Sequence, residues 1–295
     1  MKDAKVTDFT ITLAKESSSG LSHIEDEFIL LATFADVSLS AGSYKVHGLF
    51  AALCSEGTAR YTVDGVEHTI QANDLMIISD GQVVSDYQMS FDCRGVAMIA
   101  SNNFYHELIQ DVHDLSSLFL FAHIGPILHL KKDMADDFMV YFKKIKEKVD
   151  RPAHHFQKEL VMSLLKALIY DVGNEIWLTQ QSDYLKYTRA EKIFMDFIKL
   201  VEQNFRTERR VSWYASQLCI TAKYLSEIIK RVSRRTPNEW IDNYVILEVR
   251  ALLRISTNSL KEIADELHFC NQSFFGKYFK HHVGISPSKY RKGSV

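Results

Sequence analysis

Features that mark membrane, secreted or metal-binding proteins are scarce in this sequence of 295 residues. The longest apolar stretches, such as Phe28–Ala35 and Leu75–Ile78, fall far short of the ~20 residues needed to cross a bilayer. Residues 1–16 alternate polar and apolar positions and lack the apolar core of a secretory signal. The four cysteines are scattered without a CxxC pair, which argues against a zinc site or disulfide framework and predicts buried thiols in a reducing cytoplasm. An apolar share of 46% excludes a disordered chain.

The formal net charge of −2 conceals two parts of opposite charge. Residues 1–186 hold 16 basic and 26 acidic side chains, a net charge of −10. Residues 187–295 hold 19 basic and 11 acidic side chains, a net charge of +8. This division indicates that the C-terminal part meets a polyanion, whereas the N-terminal part does not.

Short apolar stretches separated by turn residues predict strands between about Leu21 and Ala100. The dipeptide Asp64-Gly65 between two such stretches is a strong hairpin signal. Many short strands with frequent turns predict an antiparallel sandwich or barrel. The predicted strands are Phe28–Phe34, Tyr44–Cys54, Ala59–Val63, His68–Ile70, Leu75–Ile78 and Val96–Ile99.

After Asn102 the apolar period becomes helical. It predicts one helix over Asp133–Val149 and, beyond Pro152, a second helix from Phe156 to Val172. Such a hairpin has a wide apolar face that needs a partner, either the barrel or the same hairpin of a second subunit. We expect the second alternative, a homodimer through residues 133–178. The polar stretch that follows is interpreted as a linker, and the rest of the chain as helical.

One segment of the basic part occurs twice. Ala215–Ile220 matches Ala264–Phe269 at a spacing of 49 residues, and Tyr224–Trp240 matches Phe274–Tyr290 at a spacing of 50. The spacing changes inside a short turn, where an insertion is tolerated. Each copy predicts a short helix, a tight turn and a longer helix, followed by Ser/Thr-Pro at the start of another helix.

Two short helices joined by a tight turn define a helix-turn-helix. Thr221 and Asn271 are suitable N-caps for the second helix of each copy. Phe275 and Phe279 point inward from the second helix, which leaves a polar face outward. Two helical hairpins with merely solvated faces are the alternative, but the duplication within a basic segment argues against it. The outward residues expected to reach base edges are Lys223, Ser226, Glu227 and Lys230 in the first copy, and Gln272, Ser273, Gly276 and Lys277 in the second.

The stretches YLSEIIKRVSRRTPNEWI and LKEIADELHFCNQSFFGKYFKHHVGISPSKYRK closely resemble the DNA-binding domain of AraC/XylS-type transcriptional regulators. The resemblance covers about Arg189–Lys292. It implies seven helices, with two helix-turn-helix subdomains joined by a long linker helix, here Pro237–Ile255. It also implies that both recognition helices enter successive major grooves on one face of the duplex.

Three residues depart from the pattern of the family. His268 stands where Gly is usual, at a position whose left-handed backbone strains most residues. Gly276 lies within the second recognition helix and should cost roughly 1 kcal/mol relative to Ala. Glu227 replaces a frequent Arg, and a carboxylate near phosphates is unfavourable unless it accepts a hydrogen bond from cytosine N4. A solvated helix residue is the alternative role for Glu227.

Further residues are expected to contact phosphates, which fix the register on the duplex and make affinity dependent on salt. A helix N-terminus also offers free amides to a phosphate. An ordinary solvated face would be basic as well, so the individual roles stay open. The candidates are Thr221, Arg231, Arg234, Arg235, Asn271, Lys280, His281 and Arg291.

The strand-rich part with its helical hairpin is similar to the cupin-like effector and dimerisation region of the same family. Cupin enzymes hold a metal with a closely spaced His-x-His, but His47 is followed by Gly48 and Leu49, and His68 has no partner at that spacing. Gly-rich phosphate loops, nucleophile elbows and acid/base pairs are also lacking. We therefore predict no catalytic residue, no metal, no cofactor and no enzymatic activity.

A barrel of this size could enclose one small ligand. Weak candidates for effector binding lie on strands that face the interior of the barrel if the strand assignment holds. Core packing is the alternative role for these residues, and the sequence identifies no effector. The candidates are Tyr44, His47, Arg60 and Tyr61.

These inferences predict an α+β protein with four parts: an N-terminal cupin-like antiparallel β-barrel (residues 1–132), a helical hairpin for dimerisation (133–178), a linker (179–187) and an all-α domain with two helix-turn-helix motifs (188–295). The predicted function is sequence-specific regulation of transcription in the cytoplasm. Its partners are double-stranded DNA and a small-molecule effector that acts by population shift. RNA polymerase is left open as a further partner, and no membrane is expected.

Two other functions remain open at this stage. One is a cupin-type metal enzyme with a helical appendage, and the other is an effector-free dimeric regulator. Activation and repression are not distinguished by the sequence.

Overall fold

The structure, a computed structural model, describes residues 6–18, 21–34, 42–109, 125–183, 188–233 and 235–292. The chain divides into two compact units, Met1–Ser182 and Asp183–Val295, and each has its own buried core. Among the described residues, no helix combines the length and the apolar character needed to span a membrane.

The described residues of the N-terminal unit form two sheets whose inner faces share one apolar core. One sheet has five strands in the order β1-β4-β9-β6-β7, and the other has six in the order β11-β8-β5-β10-β3-β2. The strands are Val6–Phe9 (β1), Ser22–Ile24 (β2), Phe28–Leu31 (β3), Ser43–Val46 (β4), Leu49–Glu56 (β5), Thr58–Val63 (β6), Val66–Gln71 (β7), Asp74–Ile78 (β8), Val83–Met89 (β9), Arg94–Ala100 (β10) and Ile127–His129 (β11). The predicted α+β fold with antiparallel sheets is confirmed, and among the described strand pairs one, β1 with β4, is parallel.

The two sheets differ in how their outer faces are covered. In β6, buried Ala59, Tyr61 and Val63 alternate with more exposed neighbours, which is the pattern of a sheet with one solvated face. In contrast, β3 is buried along its whole length, and β10 is buried after Arg94. The six-stranded sheet therefore has apolar contacts on both of its faces.

The hairpin predicted at Asp64-Gly65 is confirmed. Val63 pairs with Val66, and both turn residues have positive φ angles, 49° at Asp64 and 84° at Gly65, as a two-residue hairpin turn requires. The predicted strand Tyr44–Cys54 is instead the two strands β4 and β5. Gly48 separates them, with φ 112° and so little space that a Cβ would lie 2.0 Å from the carbonyl oxygen of Ala100.

The described residues of the N-terminal unit form four helices, and the last two are the predicted hairpin. They are Ile11–Glu16 (α1), Asn102–Ile109 (α2), Lys132–Val149 (α3) and Gln157–Asp183 (α4). Helix α4 extends through residues 179–183 of the predicted linker 179–187, and the boundary between the two compact units falls within the same stretch. This polar stretch contains no Gly or Pro to end the helix, and the Thr179 hydroxyl donates to the Glu175 carbonyl one turn earlier, at 2.8 Å.

The apolar face of the hairpin is covered within the same chain. Phe138 of α3 and Leu165 and Val172 of α4 line one small gap together with Phe28 and Met98 on the outer side of the six-stranded sheet. Lys158 on α4 adds ion pairs with Glu27 at 2.5 Å and Glu107 at 3.2 Å. The apolar face of the hairpin therefore packs against the barrel of the same chain. The expected contact was with the hairpin of a second subunit. A dimer must use another surface.

The described part of the C-terminal unit has seven helices, the number that the resemblance implies. They are Arg189–Asn204 (α5), Val211–Gln217 (α6), Ala222–Ser233 (α7), Pro237–Ile255 (α8), Leu260–Glu266 (α9), Gln272–Val283 (α10) and Pro287–Arg291 (α11). The long helix α8 has the bounds that were predicted for the linker helix. Its start is fixed by Pro237 in the first turn and by a reciprocal capping box between Thr236 and Glu239.

Candidate nucleic-acid interface

The two predicted helix-turn-helix units, α6–α7 and α9–α10, share the same turn geometry. The amide of Ile220 donates to the Ala215 carbonyl at 3.0 Å, and the amide of Phe269 donates to the Ala264 carbonyl at 2.8 Å. His268 adopts the left-handed conformation that the sequence analysis expected, with φ 52°. The matching residue of the first unit, Cys219, does the same with φ 55°, although nothing in its own side chain signals this.

Both second helices begin at the predicted caps. Thr221 Oγ1 accepts a hydrogen bond from the Tyr224 amide at 3.2 Å, and Asn271 Oδ1 accepts one from the Phe274 amide at 2.8 Å. Each cap satisfies one of the amides that a helix start leaves without an intrahelical acceptor. The remaining amides give both helix starts a positive end that suits a phosphate.

The recognition helices α7 and α10 present the predicted outward residues to solvent. Leu225, Ile228 and Ile229 hold α7 in the core, and Phe275 and Phe279 hold α10. Six of the eight base-contact candidates are exposed, and Gly276 is half-buried but faces open space. The exposed candidates are Lys223, Glu227, Lys230, Gln272, Ser273 and Lys277.

Ser226 is the least available of the base-contact candidates. It is half-buried, and its hydroxyl donates to the Ala222 carbonyl at 2.8 Å. This bond competes with a base edge for the only donor of the side chain. Ser226 is therefore a weaker candidate for a base contact than its charged neighbours on α7.

The phosphate candidates are less uniform. Arg231, Lys280 and His281 are exposed. Arg235 is half-buried with its guanidinium 5.7 Å from the centre of the Trp240 ring, and Arg234 lies outside the described residues. Arg291 is also half-buried, and its Nε donates to the Leu253 carbonyl at 3.3 Å. Arg291 thus holds α11 against α8, which leaves less of its guanidinium for a phosphate.

Tyr224 and Phe274 are not among the residues predicted to contact DNA, although they occupy matching positions in the first turns of α7 and α10. Phe274 is 52% exposed and Tyr224 is 39% exposed. Aromatic residues at such positions can contact thymine methyl groups or deoxyribose. The repeat alignment was the signal that could have identified them, because it pairs them at the 50-residue spacing.

In the N-terminal unit, a cavity of about 170 Å³ lies between the two sheets. Its described lining is almost wholly apolar and includes Tyr44 and Tyr61, two of the effector candidates. Burial raises the pKa of Tyr61, and its hydroxyl has no hydrogen-bond partner among the described residues. Arg60 also borders the cavity, but its exposed guanidinium donates to Gln88 at 2.9 Å.

His47, the fourth effector candidate, lies outside the lining of this cavity. Its Nε2 is 2.7 Å from Asp8 Oδ1 and its Nδ1 is 3.9 Å from Asp80 Oδ1. Tyr44 and Val46 are the buried residues of β4, so alternation along the strand places His47, the next residue, on the opposite side. Among the described residues, no three His, Cys, Asp or Glu side chains form a group able to hold a metal ion.

Comparison with known proteins agrees with this geometry. Residues 214–293 match the family described as "Helix-turn-helix domain". The raffinose operon transcriptional regulatory protein RafR of Pediococcus pentosaceus is 26% identical over 133 residues, 45% of this chain and 47% of that protein. The melibiose operon regulatory protein of Escherichia coli (strain K12) is 32% identical over 103 residues, 35% of this chain and 34% of that protein.

Among solved structures, ToxT from Vibrio cholerae O395 matches 90% of this chain and 95% of its own at 12% identity, but a TM-score of 0.34 is too low to establish a common fold. The matches above show that the C-terminal unit carries a helix-turn-helix domain. This match agrees with the resemblance of the sequence motifs to the DNA-binding domain of AraC/XylS-type regulators.

The chain spans less than half the length of the two curated relatives named above. Both are regulators by name, in agreement with the prediction that this chain is not an enzyme. All residues of the family match, 214–293, lie within the C-terminal unit. The cupin-like character of the N-terminal unit therefore stays a prediction.

Replacing Gly276 by Ala should stabilise the free protein by about 1 kcal/mol, because Ala is the better helix former. A Cβ at this position would meet no atom within 4 Å. Gly284→Ala is the matched control: it has the same free space, but φ is 87° and the residue caps the C-terminus of α10. This control should destabilise the protein by roughly 1–2 kcal/mol. Urea unfolding measures the free energy of unfolding of both variants relative to the unmodified protein. A destabilising Gly276→Ala would contradict the placement of Gly276 in the interior of α10 with open space at its Cα.

Proposed function

We propose that the chain is a sequence-specific DNA-binding regulator of transcription that acts in the cytoplasm. The observation that carries the proposal is the duplicated helix-turn-helix, in which Lys223, Gln272 and Lys277 are exposed rather than buried against their own unit. A chain that used these helices only as structural hairpins would have no need for two copies with the same capped start and the same left-handed turn.

The chemistry of the outward residues suits duplex DNA. The Gln272 amide can pair with adenine N6 and N7, and the ammonium groups of Lys223 and Lys277 suit the acceptors of guanine. Glu227 is exposed and suits the cytosine amino group. Arg231, Lys280 and the helix starts at Thr221 and Asn271 hold the phosphates. These contacts fix register, whereas the base contacts supply specificity.

Selection of bound fragments from a random duplex pool by the purified full-length protein tests the proposal. On the selected duplex, Gln272→Ala should lose about 1–3 kcal/mol of binding free energy and relax the preference at one position. The double variant Arg231→Ala/Lys280→Ala should weaken binding to selected and unselected duplexes alike. It should also lower the slope of log affinity against log salt by about 1 for each phosphate that is no longer neutralised.

Lys144→Ala is the control for this experiment, because Lys144 is exposed on the hairpin and pairs with Glu147 at 3.4 Å. It should leave both affinity and salt slope unchanged. Failure of the unmodified protein to enrich any sequence would contradict sequence-specific binding. An Arg231/Lys280 effect confined to one sequence would contradict the phosphate assignment.

We further propose that the cavity between the sheets takes a small, mostly apolar effector with one polar group. Its volume of about 170 Å³ is close to the ~150 Å³ of apolar cavities that hold one aromatic ring. Sugar hydroxyls would lack partners on an apolar wall, at a cost of about 1–3 kcal/mol each. The buried Tyr61 hydroxyl is the polar group available for pairing. Binding there would shift the population of DNA-competent states.

Thermal unfolding of the full-length protein with 4-ethylphenol and with D-galactose tests this effector class. The phenol should raise the unfolding temperature, equivalent to about 2.7 kcal/mol at a concentration 100 times its Kd, and galactose should not. Tyr61→Phe should weaken the effect of the phenol, whereas Tyr170→Phe, a change on the exposed hairpin surface, should not. Stabilisation by galactose alone, or equal stabilisation of both variants, would contradict the proposed chemistry.

We also propose that a second copy of the chain binds to the outer face of the hairpin. With the inner face covered by the barrel, five large apolar residues within the described part of the hairpin remain exposed: Val140, Phe156, Tyr170, Trp177 and Leu178. Tyr170 and Trp177 lie two turns apart on α4 and therefore share one side of the helix.

Trp177→Lys should shift the protein from dimer towards monomer, because it places a charge in the apolar contact. Sedimentation equilibrium at several protein concentrations measures the shift. Phe91→Lys, at a fully exposed apolar residue between β9 and β10, is the control and should leave the mass unchanged. A monomeric unmodified protein, or a Trp177→Lys variant as dimeric as the original, would contradict the proposal.

A further inference from the structure

Arg209 lies in the loop between α5 and α6, before the first helix-turn-helix, yet its side chain contacts the second one. Its Nη2 donates to the carbonyl of Leu267, and its Nη1 donates to the carbonyl of His268 at 3.4 Å. Both carbonyls belong to the tight turn between α9 and α10. One side chain of the first subdomain therefore holds the turn of the second.

An aromatic contact extends this attachment to the recognition helix. The Arg209 guanidinium lies 4.0 Å from the centre of the Phe269 ring, a distance at which a cation is attracted to the ring face. Phe269 in turn packs edge-on against Phe275 of α10, with ring centres 5.2 Å apart. Arg209 is thus linked to α10 through two contacts, its own with Phe269 and that of Phe269 with Phe275.

The chemistry of the turn explains why an arginine fits there. The end of α9 leaves backbone carbonyls without intrahelical donors, and the helix dipole makes this end negative. A guanidinium offers several donors in a planar fork, so it can serve two carbonyls while one face lies on an aromatic ring. Burial lowers the pKa of Arg209, but an arginine remains charged in proteins.

The contact is not a feature of the repeat itself. At the 49-residue spacing, Arg209 of the first copy corresponds to Asn258 of the second. Asn258 bonds within its own copy, to Glu266 at 3.3 Å. The asymmetry separates Arg209 from the residues that merely build a helix-turn-helix, since those occur in both copies.

A second attachment of α10 shows what Arg209 adds. The Tyr278 hydroxyl donates to Asp242 on the linker helix α8 at 2.6 Å. This bond holds one side of α10 to α8, and α8 is tied to the Arg209 loop by the Arg206–Glu248 ion pair. Arg209 provides a direct connection between the subdomains that does not pass through α8. Two separate attachments restrict rotation of one subdomain about the other, which a single attachment permits.

We propose that Arg209 is a positioning residue that fixes the distance and relative rotation of α7 and α10, so that both helices fit successive major grooves of one duplex. This inference rests on the proposed DNA-binding function. Arg209 itself need not touch DNA. It acts by holding the reading helices in place before binding, which lowers the entropy lost on association.

The protein carries suitable sites for measuring this distance. Cys219 and Cys270 are exposed in the turns of the first and second unit, whereas Cys54 and Cys93 are buried. Nitroxide labels on the two exposed thiols, in full-length protein mixed with an excess of unlabelled protein, report the separation of the units by pulsed electron paramagnetic resonance. Cys219→Ser removes one label and verifies the assignment.

The unmodified protein should give one narrow distance distribution without DNA, and Arg209→Ala should broaden it. Arg209→Lys keeps the charge but loses the planar fork, so its distribution should lie between the two. Arg210→Ala is the matched control, because Arg210 is exposed and pairs with Glu208 in its own loop. An Arg209→Ala distribution as narrow as that of the unmodified protein overturns the proposal. If Arg209→Ala does not fold, a narrow Arg209→Lys distribution overturns it.

A DNA measurement distinguishes positioning from simple stability. On the duplex selected above, Arg209→Ala should bind roughly tenfold more weakly, within the range of coupling effects. Insertion of one or two base pairs between the contacted grooves should impair the unmodified protein more than the variant. Equal losses at every spacing would indicate a stability effect and overturn the proposal. If the unmodified protein binds no DNA, the proposed function fails, while the label distances still test Arg209.

Discussion

The sharp reversal between the paired helices is the constraint on which the C-terminal unit depends. Cys219 and His268 both adopt left-handed backbone conformations, which cost an L-residue roughly 1–2 kcal/mol. The strain persists because the surroundings determine it: Ala215 and Ala264 are almost fully buried where the helices cross, and their carbonyls accept the amides that close the turns. A larger residue at either alanine would separate the helices and break the turn.

This reversal has consequences beyond the turn. It orients α7 and α10 so that their apolar sides enter the core and their polar sides face solvent. It also leaves the carbonyls of Leu267 and His268 accessible at the end of α9, where Arg209 binds them. A local backbone conformation thereby becomes the attachment point between two subdomains. The relative placement of two recognition helices follows from the same geometry that forms each of them.

The parts of the fold that were predicted from the sequence are those governed by local rules. Thr236 and Pro237 fix the start of α8, and Asp64-Gly65 fixes a hairpin, because caps and turns depend on a few adjacent residues. Strand β9 was missed, since its burial pattern shows no clear alternation. Arg60 was expected among interior residues, although it faces outward beside buried Tyr61, because a shift of one residue reverses the face of a strand.

The contact of Arg209 could not be predicted in this way. Its partners lie 58 and 59 residues along the chain and accept through backbone carbonyls, which carry no side-chain signal. The repeat alone predicts the opposite, because it pairs Arg209 with an asparagine. Only the arrangement of the two copies around α8 brings the guanidinium to the turn. A sequence repeat therefore predicts the fold of each copy but not the contacts that form between the two copies.

The sequence left open whether the apolar face of the hairpin packs against the barrel or against a second subunit. The burial of apolar surface explains why it packs against the barrel. The hairpin needs an apolar partner, and so does the outer face of the six-stranded sheet, whose strands β3 and β10 are apolar on both sides. Packing the hairpin against the outer face of the sheet buries both apolar surfaces within one chain. The proposed dimer contact at Tyr170 and Trp177 would then join protomers that are already folded, through the apolar residues that the barrel leaves exposed. Such an interface resembles those of reversible complexes rather than of obligate dimers, and its occupancy can follow the concentration of the protein.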